Sequence, residues 1–142
     1  MSSPEDLLTP PAGAYTFRAP RGELWIWQPA PRVVVQKCVG HAPEAIARAM
    51  TQRLTSIIAN ASPIVIFDDW QGVTGYDSDG RLALTEWTRR QLSHIEAIHI
   101  LVGSKLVAMG ISVSNLVLGQ PSHAYSDRLR FAEELARAIE RG

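Results

Sequence analysis

Apolar residues in this chain fall in short runs that alternate with amphipathic stretches, and a change of period from two to about 3.6 residues separates strands from helices. Residues 23–28, ELWIWQ, place Leu24 and Ile26 on one side of a strand and Trp25 and Trp27 on the other. Both sides are apolar, so the strand must be covered twice, by neighbouring segments or by another subunit. Trp25 and Trp27 are therefore the candidate subunit interface of a homodimer. A β-prone segment at 14–18 precedes it, and APRG between the two supplies the turn of a hairpin. A third strand spans 32–39. From Pro43 the spacing of Ile46, Met50, Leu54, Ile57 and Ile58 predicts a helix over 43–60, with Pro43 in its first turn and Glu44 at its positive end.

PIVIFDD, residues 63–69, is a continuous apolar run closed by two acids, the pattern of a central strand covered on both faces. DWQGVTGY then reads as a loop, followed by a helix at 79–92 and a buried strand at 97–102. Ser104 is placed to cap a further helix to about 114, and 116–118 reads as a short edge strand. The closing helix starts at a Ser126 cap, with Leu129, Ala132, Ala136 and Ile139 facing inward and Glu133 and Glu134 within reach of Arg137. Residues 1–13 are rich in Pro, Ser and small side chains and read as a mobile leader with little to pack. Residues 14–142 then form a single α/β domain, a mixed sheet with an N-terminal β-hairpin edge and about four helices packed on it.

Composition narrows the partners. At 142 residues and 15.6 kDa the chain is long enough to bury a core without staples. Fourteen basic residues balance fourteen acidic ones, so the electrostatic footprint of a nucleic-acid or anionic-lipid binder is missing. The one cysteine, Cys38, lies in an apolar run and reads as a packed thiol, which suits a reducing cytoplasm. No apolar run approaches the roughly 20 residues needed to span a bilayer, and the N-terminus is acidic where a signal peptide is basic. The expected protein is cytoplasmic, without a membrane span.

Candidate chemistry is sparse. The chain has neither the Lys-Ser/Thr of a P-loop nor a three-glycine dinucleotide pattern. His41, His94, His99 and His123 fall on separate elements without the spacing of a helical metal pair. The acidic pairs Asp68-Asp69 and Asp77/Asp79 could in principle hold a hard cation, but carboxylates at a strand's end are more often solvated or cap a turn. No cofactor and no metal are expected. What is left is GYDSDGR, residues 75–81, between a buried strand and a helix. Its Ser78 can be read as a helix cap, a nucleophile or a phosphate acceptor. A nucleophilic serine needs a base within about 3 Å; the nearby sequence offers only carboxylates, and His41 or His99 would have to arrive through folding.

The order buried strand, loop, Asp77-Ser78-Asp79-Gly80, helix resembles the STAS domain of anti-sigma-factor antagonists, and the phrases DDWQGVTGYDS, LTEW and SKLVAMGIS resemble SpoIIAA-like proteins of that fold. The likeness spans roughly residues 32–142. It implies a STAS/SpoIIAA-like fold, with Asp77 and Gly80 matching the motif's aspartate and glycine and Ser78 its phosphoacceptor. Asp79 departs from the pattern, standing where the family has a second hydroxyl residue. The implied role is non-catalytic: docking a protein partner, such as a kinase-type or other signalling regulator, through Tyr76, Asp77, Ser78, Asp79, Gly80 and Arg81, with Trp70 at the rim. The alternative is a small-ligand-binding protein or a hydrolase-like enzyme using Ser78.

Overall fold

In the computed structural model, which describes residues 3–105, 108 and 122–142, six strands form one sheet in chain order. They are β1 (Tyr15–Ala19), β2 (Gly22–Ala30), β3 (Val33–Ala42), β4 (Ile64–Tyr76), β5 (Ile95–Val102) and β6 (Ser122–Tyr125). β1 and β2 make the edge hairpin, with Ala19 opposite Gly22 around Pro20 and Arg21, and β2 pairs antiparallel with β3. From β3 to β6 every pairing is parallel. Parallel neighbours need crossovers: α1 (Glu44–Ile58) links β3 to β4, and α2 (Ser78–Arg90) links β4 to β5. The last helix, α3 (Arg128–Arg141), follows β6.

Each face of the sheet has its own core. Under α1 and α2 lie Leu24, Ile26, Val34, Ile66 and Ile98 together with Ile46, Met50, Leu54 and Trp87 from the helices. The opposite face carries Val33, Val35, Phe67 and Leu101 against Phe131, Ala132, Leu135 and Ala138 of α3. Two-sided covering explains the unbroken apolar run of β4, whose alternate residues enter the two cores. Trp27 packs on the α3 side, and Trp25 is half-buried.

Several elements depart from the sequence expectation. Residues 4–8 form a short 3-10 helix capped by Ser3, and Leu8 is completely buried in the α3-side core. The low apolar content around it hides this anchor, Leu8 with Leu7 packed beside it. DWQGVTGY is strand rather than loop: β4 runs to Tyr76 because β3 itself continues to Ala42 and pairs with it. Gly72 permits the pairing, since a Cβ there would lie 2.9 Å from Val39 Cγ1. In α3 the cap is Asp127, whose carboxylate accepts from the Leu129 and Arg130 amides, so the buried stripe is Phe131, Ala132, Leu135 and Ala138 and Leu129 is exposed. Strand β6 has no counterpart in the sequence reading. Of the helix expected over 104–114, only Ser104, Lys105 and Ala108 are described, with the Ala108 amide donating to the Ser104 carbonyl; the rest of it and the strand expected at 116–118 lie outside the described residues. Three helices are thus described where about four were expected.

Candidate functional site

The motif sits where β4 turns into α2. β3 reaches it by way of Gly40, whose φ of +81° is a left-handed conformation open to glycine, and a register shift follows between Gly40 and His41. This turn of the backbone brings His41 beside the motif, and its Nε2 lies 3.0 Å from Asp77 Oδ1. The Asp77 amide donates to the Ala42 carbonyl, fixing the end of β4 to the end of β3. Asp77 occupies the position before the helix, yet its carboxylate faces His41 and makes no capping bond to the α2 backbone. The first-turn amides of α2 therefore keep the unsatisfied donors of a helix start.

Ser78 is the first residue of α2, and Asp77, Ser78 and Asp79 are all exposed. Tyr76 and Arg81 are half-buried. Gly80 is buried, and a Cβ there would touch Ala47 Cβ and Glu44 Cα at 3.4 Å, so the motif glycine lets α2 start close against α1. Among the described residues the Ser78 hydroxyl has no hydrogen-bond partner. His41, the one imidazole brought to the motif, engages Asp77 instead. The Ser–His bond that activates a hydrolase serine is missing from this arrangement. His99 stands on the other face, stacked on Phe67 at 4.5 Å with its Nδ1 2.8 Å from the Tyr125 hydroxyl.

Behind the motif, between α1, α2 and the centre of the sheet, lies a cavity of about 130 Å³. Its walls are mainly apolar, from Ile46, Met50, Leu54, Ile66, Leu84 and Trp87, and its lining runs out to Asp77 and Arg81 at the start of α2. Among the polar side chains that the sheet sends into this lining are Gln36, Asp68 and Trp70. Gln36 and Asp68 are register partners on β3 and β4, and Gln36 Nε2 donates to Asp68 Oδ1 at 2.7 Å. Burial pushes the Asp68 carboxyl up to about 7, against the lowering by the Gln36 bond and with the charge of Asp69 raising it further. Two buried atoms in the lining, Gln36 Oε1 and Trp70 Nε1, have no hydrogen-bond partner among the described residues. An orphaned buried polar atom costs on the order of 1–3 kcal/mol. Cys38, on the same lining, is held as a neutral thiol, pushed up to about 12 by burial and then by Asp68.

Asp68 and Asp69 are thus neither solvated nor at a strand's end, as the sequence suggested. They lie inside a longer strand, 5% and 2% exposed. Trp70, expected at the rim of the motif, is half-buried and lines the cavity with a fully buried Nε1. What sequence reasoning missed is the set Gln36, Asp68 and Trp70. Two acids closing an apolar run were the only signal, and they looked like a boundary. The histidines are also less scattered than their spacing suggests, since His99 and His123 stack with ring centres 5.2 Å apart. Among the described residues no group of three or more His, Cys, Asp or Glu side chains is placed to hold a metal ion, and no helix is long and apolar enough to cross a membrane.

A mixed sheet in which helices on one face link β3 to β4 and β4 to β5, with an exposed serine opening the second helix, defines the class: this is a STAS/SpoIIAA-like fold. The particular likenesses are to three solved structures. The chain is similar to the anti-sigma factor antagonist SpoIIAA in its unphosphorylated form, with a TM-score of 0.62 and 14% identity over 84% of this chain and 97% of that one. An anti-sigma factor antagonist from Mycobacterium paratuberculosis gives a TM-score of 0.59 at 16% identity, covering 87% of this chain and 99% of that one. An uncharacterised protein of the DUF3478 family with a SpoIIAA-like fold, from Shewanella loihica PV-4, gives 0.57 at 16% identity, covering 87% and 92%. No protein-family model and no curated protein matches the sequence. Likenesses at such identities show the fold, and function has to be argued from the site.

Proposed function

We propose that this protein is a non-catalytic regulatory module that docks a protein partner through the exposed start of α2, Asp77-Ser78-Asp79, and that phosphorylation of Ser78 switches the contact. The observation that carries the reading is the geometry of Asp77. Because its carboxylate is drawn to His41, at 3.0 Å, the first-turn amides of α2 are left without a side-chain cap. The Ser78 hydroxyl beside them is exposed and unpartnered among the described residues. A phosphate on Ser78 would bring about −1.5 to −2 charges to a helix N-terminus, where amide donors and the dipole favour it. Asp77 and Asp79 oppose it, so the modification does more to alter what a partner meets than to stabilise the helix. Similarity to two proteins described as anti-sigma factor antagonists supports a protein partner of the signalling type.

Quantitative affinity capture from the native cell with wild-type, Ser78→Ala and Ser78→Glu baits tests it. The expected outcome is recovery of the partner by wild type and Ser78→Ala and its loss with Ser78→Glu, with phosphopeptide mapping of the wild-type protein placing the modification at Ser78. Equal recovery by all three baits would show that docking does not run through this serine.

A further inference from the structure

The cavity beneath α1 and α2 meets the docking surface only at its outer lining, Asp77 and Arg81, and the docking reading makes no use of its interior. Its size and its lining both bear on what it could bind. At about 130 Å³ it is close to the roughly 150 Å³ of an engineered apolar cavity that accepts benzene. Unlike a purely apolar void, it carries an orphaned acceptor, Gln36 Oε1, and an orphaned donor, Trp70 Nε1. Gln36 is 2% exposed, and one end of its amide is fixed by Asp68 at 2.7 Å. Turning the amide end for end would merely exchange one orphaned atom for another. The orphaned indole is not a general property of this core: Trp87, on the same lining, donates its Nε1–H to Thr55 Oγ1 at 2.9 Å. Gln36 and Asp68 face each other across the β3–β4 register, and Trp70 lies two residues beyond Asp68 on the same side of the strand. All three therefore look towards α1 and α2 from the centre of the sheet.

We infer that this cavity is a binding site for a small uncharged ring compound carrying one group that both donates and accepts a hydrogen bond, such as a phenolic hydroxyl, donating to Gln36 Oε1 and accepting from Trp70 Nε1–H. The apolar walls take the ring. A charged head group is disfavoured because the walls are mainly apolar, and the one cation of the lining, Arg81, belongs to its outer end at the start of α2. A single bridging water is the competing occupant, since it too could serve both orphaned atoms.

Phenol and toluene separate the two. They are similar in size, and only phenol can meet the polar pair. In ¹⁵N-labelled full-length protein, with the Trp70 indole resonance assigned by Trp70→Phe, phenol is expected to shift that resonance saturably below about 10 mM, with toluene at least tenfold weaker. Gln36→Leu is expected to lower phenol affinity at least tenfold while leaving toluene binding in place, which also reports that the cavity is still formed. Leu84→Trp, filling the space, is expected to abolish binding of both. No saturable shift by phenol would overturn the inference and leave a water-filled cavity. Equal affinity for phenol and toluene, or phenol binding unchanged by Gln36→Leu, would overturn it as well, because either result removes the polar pair from recognition.

Discussion

Asp68 and Asp69 are consecutive residues on one strand, equally buried, and they meet opposite fates because a strand sends neighbours to opposite faces. On the α3 face, Asp69 Oδ2 accepts from Arg128 Nη1 at 3.0 Å, and Arg128 also reaches Gln71 Oε1 at 3.0 Å. His99 on that face is bonded to Tyr125 and stacked on Phe67. Among the described residues the buried polar groups of that face are matched. On the α1–α2 face, Asp68 has the amide of Gln36, and beyond it lie two orphaned atoms and a cavity. Among the described residues, one face pairs its buried polar side chains, whereas the other leaves two buried polar atoms beside a cavity without a protein partner. Local polarity retained at a cost in stability is a mark of sites shaped by something besides folding.

The largest effect is expected from breaking the matched pair. Arg128→Leu leaves the buried Asp69 carboxylate without its cation and should cost about 2–4 kcal/mol, discounted from a fully buried pair because the Arg128 side chain is 29% exposed. Urea unfolding at neutral pH measures it, and a loss below about 1 kcal/mol would mean that the α3 face is not the better-compensated one.

Next comes a pH test in which the faces pull in opposite directions. The Asp68 carboxyl, raised by burial from 3.8 to about 7, favours the folded state while protonated, so its contribution is complete below about pH 4 and is lost as pH rises through 7. His99, lowered from 6.5 to about 4 by burial and then by His123, contributes above about pH 6.5 and loses that contribution as pH falls through 4. Across pH 4–7 the two slopes partly cancel in the wild type. Asp68→Asn should expose the rise of stability with pH that His99 causes, whereas His99→Phe should expose the fall caused by Asp68, at up to about 1.4 kcal/mol per pH unit. Unfolding midpoints at pH 4.5, 6 and 7.5 for the three proteins decide it. Parallel curves would remove both groups as the cause.

How much of this contrast is legible beforehand depends on the distance over which it is set. The α1 stripe of Ile46, Met50, Leu54 and Ile57 is local and periodic, and it is buried as its spacing predicts. The edge hairpin and the two-sided character of β4 follow from pattern in the same way. Boundaries decided by a partner strand were not legible: nothing within DWQGVTGY says that β3 will continue to Ala42 and hold it in the sheet. The phase of α3 was missed through its cap, Asp127 in place of Ser126, which turned Leu129 outward. The cavity was the least legible feature. Gln36, Asp68 and Trp70 meet only through the parallel register of β3 on β4, and His41 reaches Asp77 only through the turn at Gly40.

The smallest effect is the sharpest test of the orphaned atoms. Trp70→Phe removes the indole N–H and keeps most of the ring that packs on the α1–α2 core. If that N–H is buried without a partner, its loss relieves a desolvation cost while the smaller ring gives up some apolar contact, so the net change should fall within about 1 kcal/mol of zero. Trp87→Phe, by contrast, loses the bond that its indole donates to Thr55 Oγ1 at 2.9 Å, while that exposed hydroxyl keeps its own bond to the Thr51 carbonyl at 2.7 Å, and should cost about 1–2 kcal/mol through the lost bond and the smaller ring. The same chemical change on the same face then separates a donor that is satisfied from one that is not. Equal losses at the two tryptophans would mean that Trp70 Nε1–H already has a partner of comparable strength in solution, such as an ordered water, and the contrast between the two faces would narrow to the pairing of Asp69 with Arg128.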